Sequence, residues 1–242
     1  MATTSGPHGA SASAGGPAAP RSRSTRDRPA KAPLSATAIV DAALAICREE
    51  GLDAVTMRRV AAELDTGPAS LYVYIRNREE LLREMLDRVS GNVPLAPIDP
   101  GRWREQVHEL VAGWLEAMRS HPGLASVAVG DPPSSERMML GADHLLGLLI
   151  AGGVGPQDAA WACDILPLIT TATAVESDVR QARGHTGEET VARIEETLHS
   201  LPADRFPHLA RYGAELVSGD GDARFRFAID VFLDGLVARG GR

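Results

Sequence analysis

From about residue 35 onward, apolar residues recur along this chain at helical spacing, which predicts an all-α fold. Ser35 suits an N-cap for a helix over 36–50, with Ile39, Ala43, Ile46 and Cys47 on one face and Gly51 just past its end. Thr56 opens a second helix over 57–64, whose inner stripe is Val60, Ala61 and Leu64. Val55 and Val60 stand at the positions of a hydrophobic staple. Asp65-Thr66-Gly67 reads as a tight turn, and Pro68 suits the first position of a short helix over 68–75. Asn77 then caps a helix over 78–90, with Glu80 three residues on in a capping-box arrangement.

Two short helices around a turn present the second of them to a DNA major groove. In the helix over 68–75, Leu71 and Ile75 face inward, leaving Ala69, Ser70, Tyr72, Val73 and Tyr74 to look outward or sideways. Hydroxyls reach phosphates or base edges, and small apolar groups touch thymine methyls. The plain alternative is a helical hairpin whose tyrosines pack half-buried. Arg58 and Arg59 on one side, with Arg76 and Arg78 on the other, are candidate phosphate clamps.

Pro94, Pro97 and Pro100 mark a connector, and helical patterns then fill residues 101–239. One helix over about 101–120 carries Trp103, Val107, Leu110, Val111, Trp114 and Met118 on a face. Ser134 or Ser135 opens the next, which runs to residue 151 with Leu145, Leu148 and Leu149 apolar. A long helix over 156–183 is apolar on more than one side. Thr186 with Glu189 makes a capping box for 187–200, with Val191, Ile194 and Leu198 as its apolar face. Asp222 caps a last helix to about 239, in which Phe225, Ile229, Phe232, Leu233 and Leu236 form the main stripe and Phe227 and Val231 lie off it. Surplus apolar faces on the long and last helices point to pairing with a second subunit. Polar groups among apolar ones, His144, Thr170, Thr171, Thr173 and Glu176, form a candidate ligand-pocket wall with Trp114 and Trp161.

Charge qualifies this picture without reversing it. The chain carries a formal net charge of −7, and residues 34–92 hold seven Arg against ten Asp and Glu. Any positive face on a DNA-binding head over 34–92 must therefore be local. Residues 1–33 are Ser-, Ala-, Gly- and Pro-rich, cannot bury enough surface to order themselves, and read as a separate tail. Arg21, Arg23, Arg26, Arg28 and Lys31 make its second half basic, suited to tracking a minor groove. No apolar run follows those charges, so a secretion signal is not expected, and no segment is apolar enough for a membrane span. The seven His show no metal-protease spacing, and nucleophile elbows and phosphate-binding loops are absent. An enzyme, a cofactor and a bound metal are accordingly not expected. Cys47 and Cys163 lie in different domains on helical faces, and two unmatched cysteines suit a reducing cytoplasm.

The run AIVDAALAICREEGLDAVTMRRVAAEL, its exit LYVYIRNREELL and the spacing between them resemble the tetracycline-repressor (TetR) family of bacterial transcription regulators. RWREQVHELV through RFRFAIDVFLDGL is similar to the C-terminal ligand and dimerisation domain of that family. The resemblance implies a cytoplasmic homodimer, most simply a repressor released from a near-palindromic operator by a small organic effector. A constitutive regulator whose second domain only dimerises is the alternative. DNA contacts implied on this sequence are Thr56, Arg58, Ala69, Ser70, Tyr72, Val73, Tyr74 and Arg78. Ser70 and Tyr72 match the family's Thr and Tyr, Arg78 stands for its Lys, and Tyr74 replaces a common His, so the base sequence read should differ. Tetracycline-binding members hold a magnesium–drug complex with a His and a Glu. The stretch ASVAVGDPP puts Ala128 where that His would stand, with Glu176 near the acidic position. The implied ligand is therefore organic and bound without metal.

Overall fold

The computed structural model describes residues 33–129, 135–184 and 187–240, and these form helices and turns with no strand among them. The basic tail to residue 32 and the Thr186 cap lie outside the described residues. Helix α1 spans Ala36–Glu50, and the Ser35 Oγ accepts the Ala38 amide at 3.1 Å. Gly51 ends it at φ 84°, donating its N–H to the Cys47 carbonyl. A 3₁₀ turn over Leu52–Ala54 leads to α2, Met57–Glu63, one residue shorter than its periodicity suggests. Helix α3 is Pro68–Leu71 alone. Residues 72–74 continue as turns, with the amides of Tyr74 and Ile75 both donating to the Leu71 carbonyl at 2.9 Å. Helix α4 spans Arg78–Ser90, and the Asn77 Oδ1 accepts the Glu80 amide at 2.8 Å. The reciprocal half of the box differs from the expectation: the Glu80 carboxylate accepts the Arg76 amide instead of the Asn77 amide.

Beyond the connector come α5, Trp103–Arg119, a 3₁₀ turn over Leu124–Ala128, α6, Glu136–Ala151, and α7, Pro156–Ala182. Buried Gln106 ties the connector to α5, accepting from the Asp99 amide and donating to the Pro97 carbonyl, each at 2.8 Å. Ser135, not Ser134, caps α6. Helix α8, Gly187–His199, packs through Leu198 against Gly213 of α9, Pro207–Val217, a helix the periodicity did not reveal. Ile194, expected on the buried face of α8, is exposed. Helix α10 is Gly221–Gly240, and its cap is Asp220, whose Oδ1 accepts the Ala223 amide at 2.7 Å. Asp222, expected in that role, lies within the first turn and pairs with Arg119 at 2.7 Å. Arg104–Asp234 at 2.6 Å and His108–Asp230 at 2.7 Å continue the series, so α10 runs antiparallel to α5.

Two hydrophobic clusters organise these helices. One is built from α1–α4 around Ile39, Ile46, Leu71, Leu81 and Met85, and the other from α5, α6, α7 and α10 around Leu145, Leu148, Leu166, Ile229 and Leu233. Leu124 crosses the division. It belongs by sequence to the second part but is wholly buried in the first cluster.

Candidate functional site

The outward face of α3 and its following turn is set by two anchors. Leu71 and Ile75 are buried in the first cluster, so the intervening side chains point away from it. Tyr72 is 52%, Val73 79% and Tyr74 45% exposed, with Ala69 also exposed and Ser70 half-buried. The hydroxyls of Ser70, Tyr72 and Tyr74 make no hydrogen bond among the described residues. Each tyrosine is thus about half covered, with its hydroxyl left for an outside partner. Asp65 adopts φ 49°, a conformation that Asp tolerates better than most residues, and this makes the turn tight enough to throw α3 outward. The Thr56 hydroxyl accepts the Arg59 amide at 3.1 Å, holding the first turn of α2 at the margin of the same face.

The four candidate arginines separate into distinct roles. Arg58 is exposed and forms no ion pair or hydrogen bond among the described residues. Arg59 is engaged by Glu50 at 2.6 Å and Glu63 at 2.7 Å, bonds that hold its guanidinium pKa above its ordinary value. Arg76 meets Glu80 at 3.2 Å while remaining largely in solvent. Arg78 turns inward: its Nε donates to the Val55 carbonyl at 2.7 Å and its Nη2 to the Leu52 carbonyl at 3.0 Å. It braces the chain entering α2, which the spacing alone did not disclose.

A cavity of about 450 Å³ opens between α4, α5, the 3₁₀ turn over Leu124–Ala128, α6 and α7. That volume falls in the range of small-molecule sites. Leu86 and Ser90 come from α4, Trp114 and Met118 from α5, and Ala128 and Val129 from the turn and the residue after it. Gly141 admits the Trp114 ring, since a Cβ there would lie 3.2 Å from its Cζ2. Helix α7 contributes Cys163, Asp164, Pro167, Leu168, Thr170 and Thr171. Of the seven pocket residues expected from sequence, Trp114, Thr170 and Thr171 line this space, and His144, Trp161, Thr173 and Glu176 do not. Trp161 is 58% exposed on another face of α7. The Thr173 hydroxyl donates to the Ile169 carbonyl at 2.8 Å, and Glu176 lies in solvent beside Arg180. Beyond the chamber it is Asp178 of α7, not Glu176, that is drawn to a neighbouring element, accepting the Gly123 amide.

The polar chemistry of the chamber is sparse. Thr170 donates to the Leu166 carbonyl at 2.8 Å. Thr171 is buried, and its hydroxyl has no partner among the described residues. Pro167 has no N–H, so the Cys163 carbonyl has no α-helical donor. Burial pushes the Cys163 thiol up, leaving it a poor nucleophile. Arg137 of α6 and Asp164 supply opposite charges. Sequence reasoning missed Arg137 and Asp164. Pro167 within an apolar helix was the available signal. Ala128 does line the chamber, and no three His, Cys, Asp or Glu side chains gather as a metal site among the described residues.

Contacts tie this chamber to the first cluster. Asp87 of α4 accepts from the Ser135 hydroxyl at the start of α6. The Gly123 amide donates to the Asp178 Oδ2 at 2.9 Å, and Gly123, at φ 88°, approaches Leu52 so closely that a Cβ would meet the Leu52 Cβ at 2.9 Å. Burial raises the Asp178 carboxyl pKa, and the Gly123 amide partly offsets that.

Comparison with known proteins gives matches along most of this length. The model described as "Bacterial regulatory proteins, tetR family" matches residues 39–85, and "Tetracyclin repressor-like, C-terminal domain" matches residues 96–239. The chain is 31% identical over 221 residues to the HTH-type transcriptional repressor DrrR1 of Streptomyces coeruleorubidus, spanning 88% of this chain and 82% of that protein. It is similar to the crystal structure of ActR from Streptomyces coelicolor in complex with actinorhodin, with a TM-score of 0.80, 38% identity, and coverage of 87% of this chain and 99% of that one. The structure of the same protein with (S)-DNPA gives a TM-score of 0.77 at 37% identity, covering 86% of this chain and 98% of that one.

Proposed function

The chain belongs to the tetR family of bacterial regulatory proteins, and we infer that it is a repressor displaced from a near-palindromic operator when a small organic effector fills the chamber. One observation carries this reading: Leu86 and Ser90, on the helix that leaves the DNA-binding head, are themselves chamber wall. An occupant that favours one position of α4 then biases the placement of α3. Such coupling is usually about 1–3 kcal/mol, or one to two decades of operator affinity. That ActR has been solved with actinorhodin supports an organic effector.

Operator recognition falls to the exposed face of Ala69, Ser70, Tyr72, Val73 and Tyr74, with Thr56 and Arg58 at its margin. Two heads are needed for a near-palindromic site. The apolar positions that α7 and α10 leave in solvent, among them Trp161, Leu168, Phe227 at 69% exposed and Val231, suit a homodimer interface. The basic stretch 21–31 adds a salt-dependent contribution to DNA binding, and the protein acts in the cytoplasm. Among the described residues no helix is long and apolar enough to cross a membrane.

The test is a footprint on the DNA upstream of the protein's own gene, repeated with candidate effectors. Protection of an inverted repeat that is lost on adding a ligand is expected. A ligand that binds the protein tightly yet leaves operator affinity unchanged would sink the switching model.

A further inference from the structure

Attraction to the DNA backbone grows with the number of phosphates a protein neutralises, and it is nearly blind to sequence. We propose that the head withholds two of its four flanking arginines from DNA, Arg59 through Glu50 and Glu63 and Arg76 through Glu80, and so holds down its affinity for DNA of any sequence. This rests on the reading of the face around α3 as the operator-recognition surface.

Both arginines stand at the edge of that face. Arg59 directly follows Arg58, and its amide donates to the Thr56 hydroxyl. Arg76 comes two residues after Tyr74. From such points a free guanidinium takes phosphates through paired donors. The Arg59 donors are already filled. Its Nε and Nη2 donate to the Glu50 Oε1 at 3.1 and 2.6 Å, and its Nη1 to the Glu63 Oε2 at 2.7 Å. Glu80 is fixed beside Arg76 because its carboxylate also accepts the Arg76 amide, and the Arg76 Nε lies 3.2 Å from both of its oxygens. Arg76 in turn holds the Glu80 carboxyl below the usual carboxylate range, so the pair stays charged at neutral pH.

As props for the fold these pairs count for little. The side chains of Arg59, Glu50 and Glu63 are a third to a half exposed, and pairs so open to water add little to stability. Their consequence falls on binding. One positive charge at Arg59 stands against two negative ones, so the group as a whole repels a phosphate. Arg78 is engaged by the Leu52 and Val55 carbonyls, which leaves Arg58 as the one of the four without an intramolecular partner among the described residues. With seven Arg against ten Asp and Glu over residues 34–92, the head has no surplus of positive charge to make up the difference. Coupling of about one to two decades frees a protein from its operator only if the backbone does not go on holding it.

The test is binding of the full-length protein to a short duplex of mixed sequence, read by fluorescence anisotropy across a salt series. Glu50→Gln/Glu63→Gln should steepen the plot of log affinity against log salt by about 0.9, the share of one phosphate, and raise affinity about tenfold near 0.1 M salt. Glu80→Gln should give a smaller rise, since Arg76 is already largely in water. Glu49→Gln removes the same charge one residue away, from an exposed side chain with no ion pair among the described residues, and should leave the slope as it is. Adding Arg59→Gln to the double variant should abolish its gain. On the inverted repeat that the wild type protects, affinity should rise by the same factor, because a phosphate contact carries no sequence information. An unchanged slope in the double variant, an equal change in Glu49→Gln, a gain that survives Arg59→Gln, or a rise confined to the repeat would each overturn the proposal. Failure to find any protected repeat would remove the operator reading alone, since the mixed duplex still decides whether the arginines are withheld.

Discussion

The face around α3 and the chamber between α4 and α7 use similar side chains in opposite ways. In the turn after α3, two tyrosines about half exposed and a largely exposed valine face outward, and the tyrosine hydroxyls make no hydrogen bond among the described residues. Around the chamber, Trp114, Met118 and Leu86 are turned toward one another's helices, and their value lies in the space they leave between them. The first surface is specified by what its two anchors, Leu71 and Ile75, force outward. The second is specified by the meeting of residues far apart in sequence. A substitution on the α3 face should therefore change binding without changing stability, whereas substitutions beneath it or around the chamber should change both.

The sharpest way to break that contrast is to remove an anchor. Leu71→Ala empties a fully buried position and should cost about 2–5 kcal/mol, seen as a large fall in melting temperature together with loss of operator binding. Retained stability would mean that α3 is held by something other than its buried side. Tyr72→Ala, one residue on, should leave the melting curve unchanged and weaken operator binding by roughly 1–3 kcal/mol in a gel-shift titration. A lowered melting temperature would instead place Tyr72 with the core. Arg78→Ala leaves the Leu52 and Val55 carbonyls without their charged donor and should cost about 1–2 kcal/mol of stability, measured by urea unfolding. If stability holds and only operator affinity falls, Arg78 belongs to the DNA surface after all.

Two smaller effects probe the joint between the regions. Asp178→Ala frees the Gly123 amide and should cost about 1 kcal/mol while reducing the ligand-induced change in operator affinity. An unaltered change would show that the Gly123 turn carries no coupling. Burial holds the His121 pKa below its ordinary 6.5, with Arg48 nearby opposing its charge and the Ala117 carbonyl accepting from its ring. The unfolded chain then binds the extra proton more readily than the folded one. Stability from this group is complete above pH 6.5 and is lost as the pH falls below it toward the lowered folded value. The melting temperature should drop between pH 7.5 and 5.5, less so in His121→Gln; equal slopes would assign the acid sensitivity elsewhere.

The caps at Ser35, Thr56 and Asn77, and the stop at Gly51, were legible because each depends on groups within four residues. The outward set on α3 was legible for the same reason. What distance decides was not. Arg78 looks like a surface clamp until the chain folds back to bring two carbonyls to it. On α7 the difficulty is phase. Helix α7 is apolar on several sides, so its period does not say which stripe faces the cavity. Residues 163, 164, 167, 170 and 171 form that stripe. Glu176 lies five residues beyond Thr171, about 140° around the helix, while Asp178 returns to the inward side. Helix α9 escaped notice because Tyr212 interrupts it at φ −119° and few of its residues are buried.

Gly91, where the end of α4 meets the Arg137 stem, sets the spacing of the whole joint by omitting one methyl group. The added Cβ of Gly91→Ala would collide with backbone-proximal atoms rather than a flexible tip, so one of the two helices must yield. A single carbon would then work as a permanently bound inducer, moving the head without occupying the chamber. If the proposed switch operates, bacteria carrying that change express the regulated genes without a signal, while the purified protein still binds its effector.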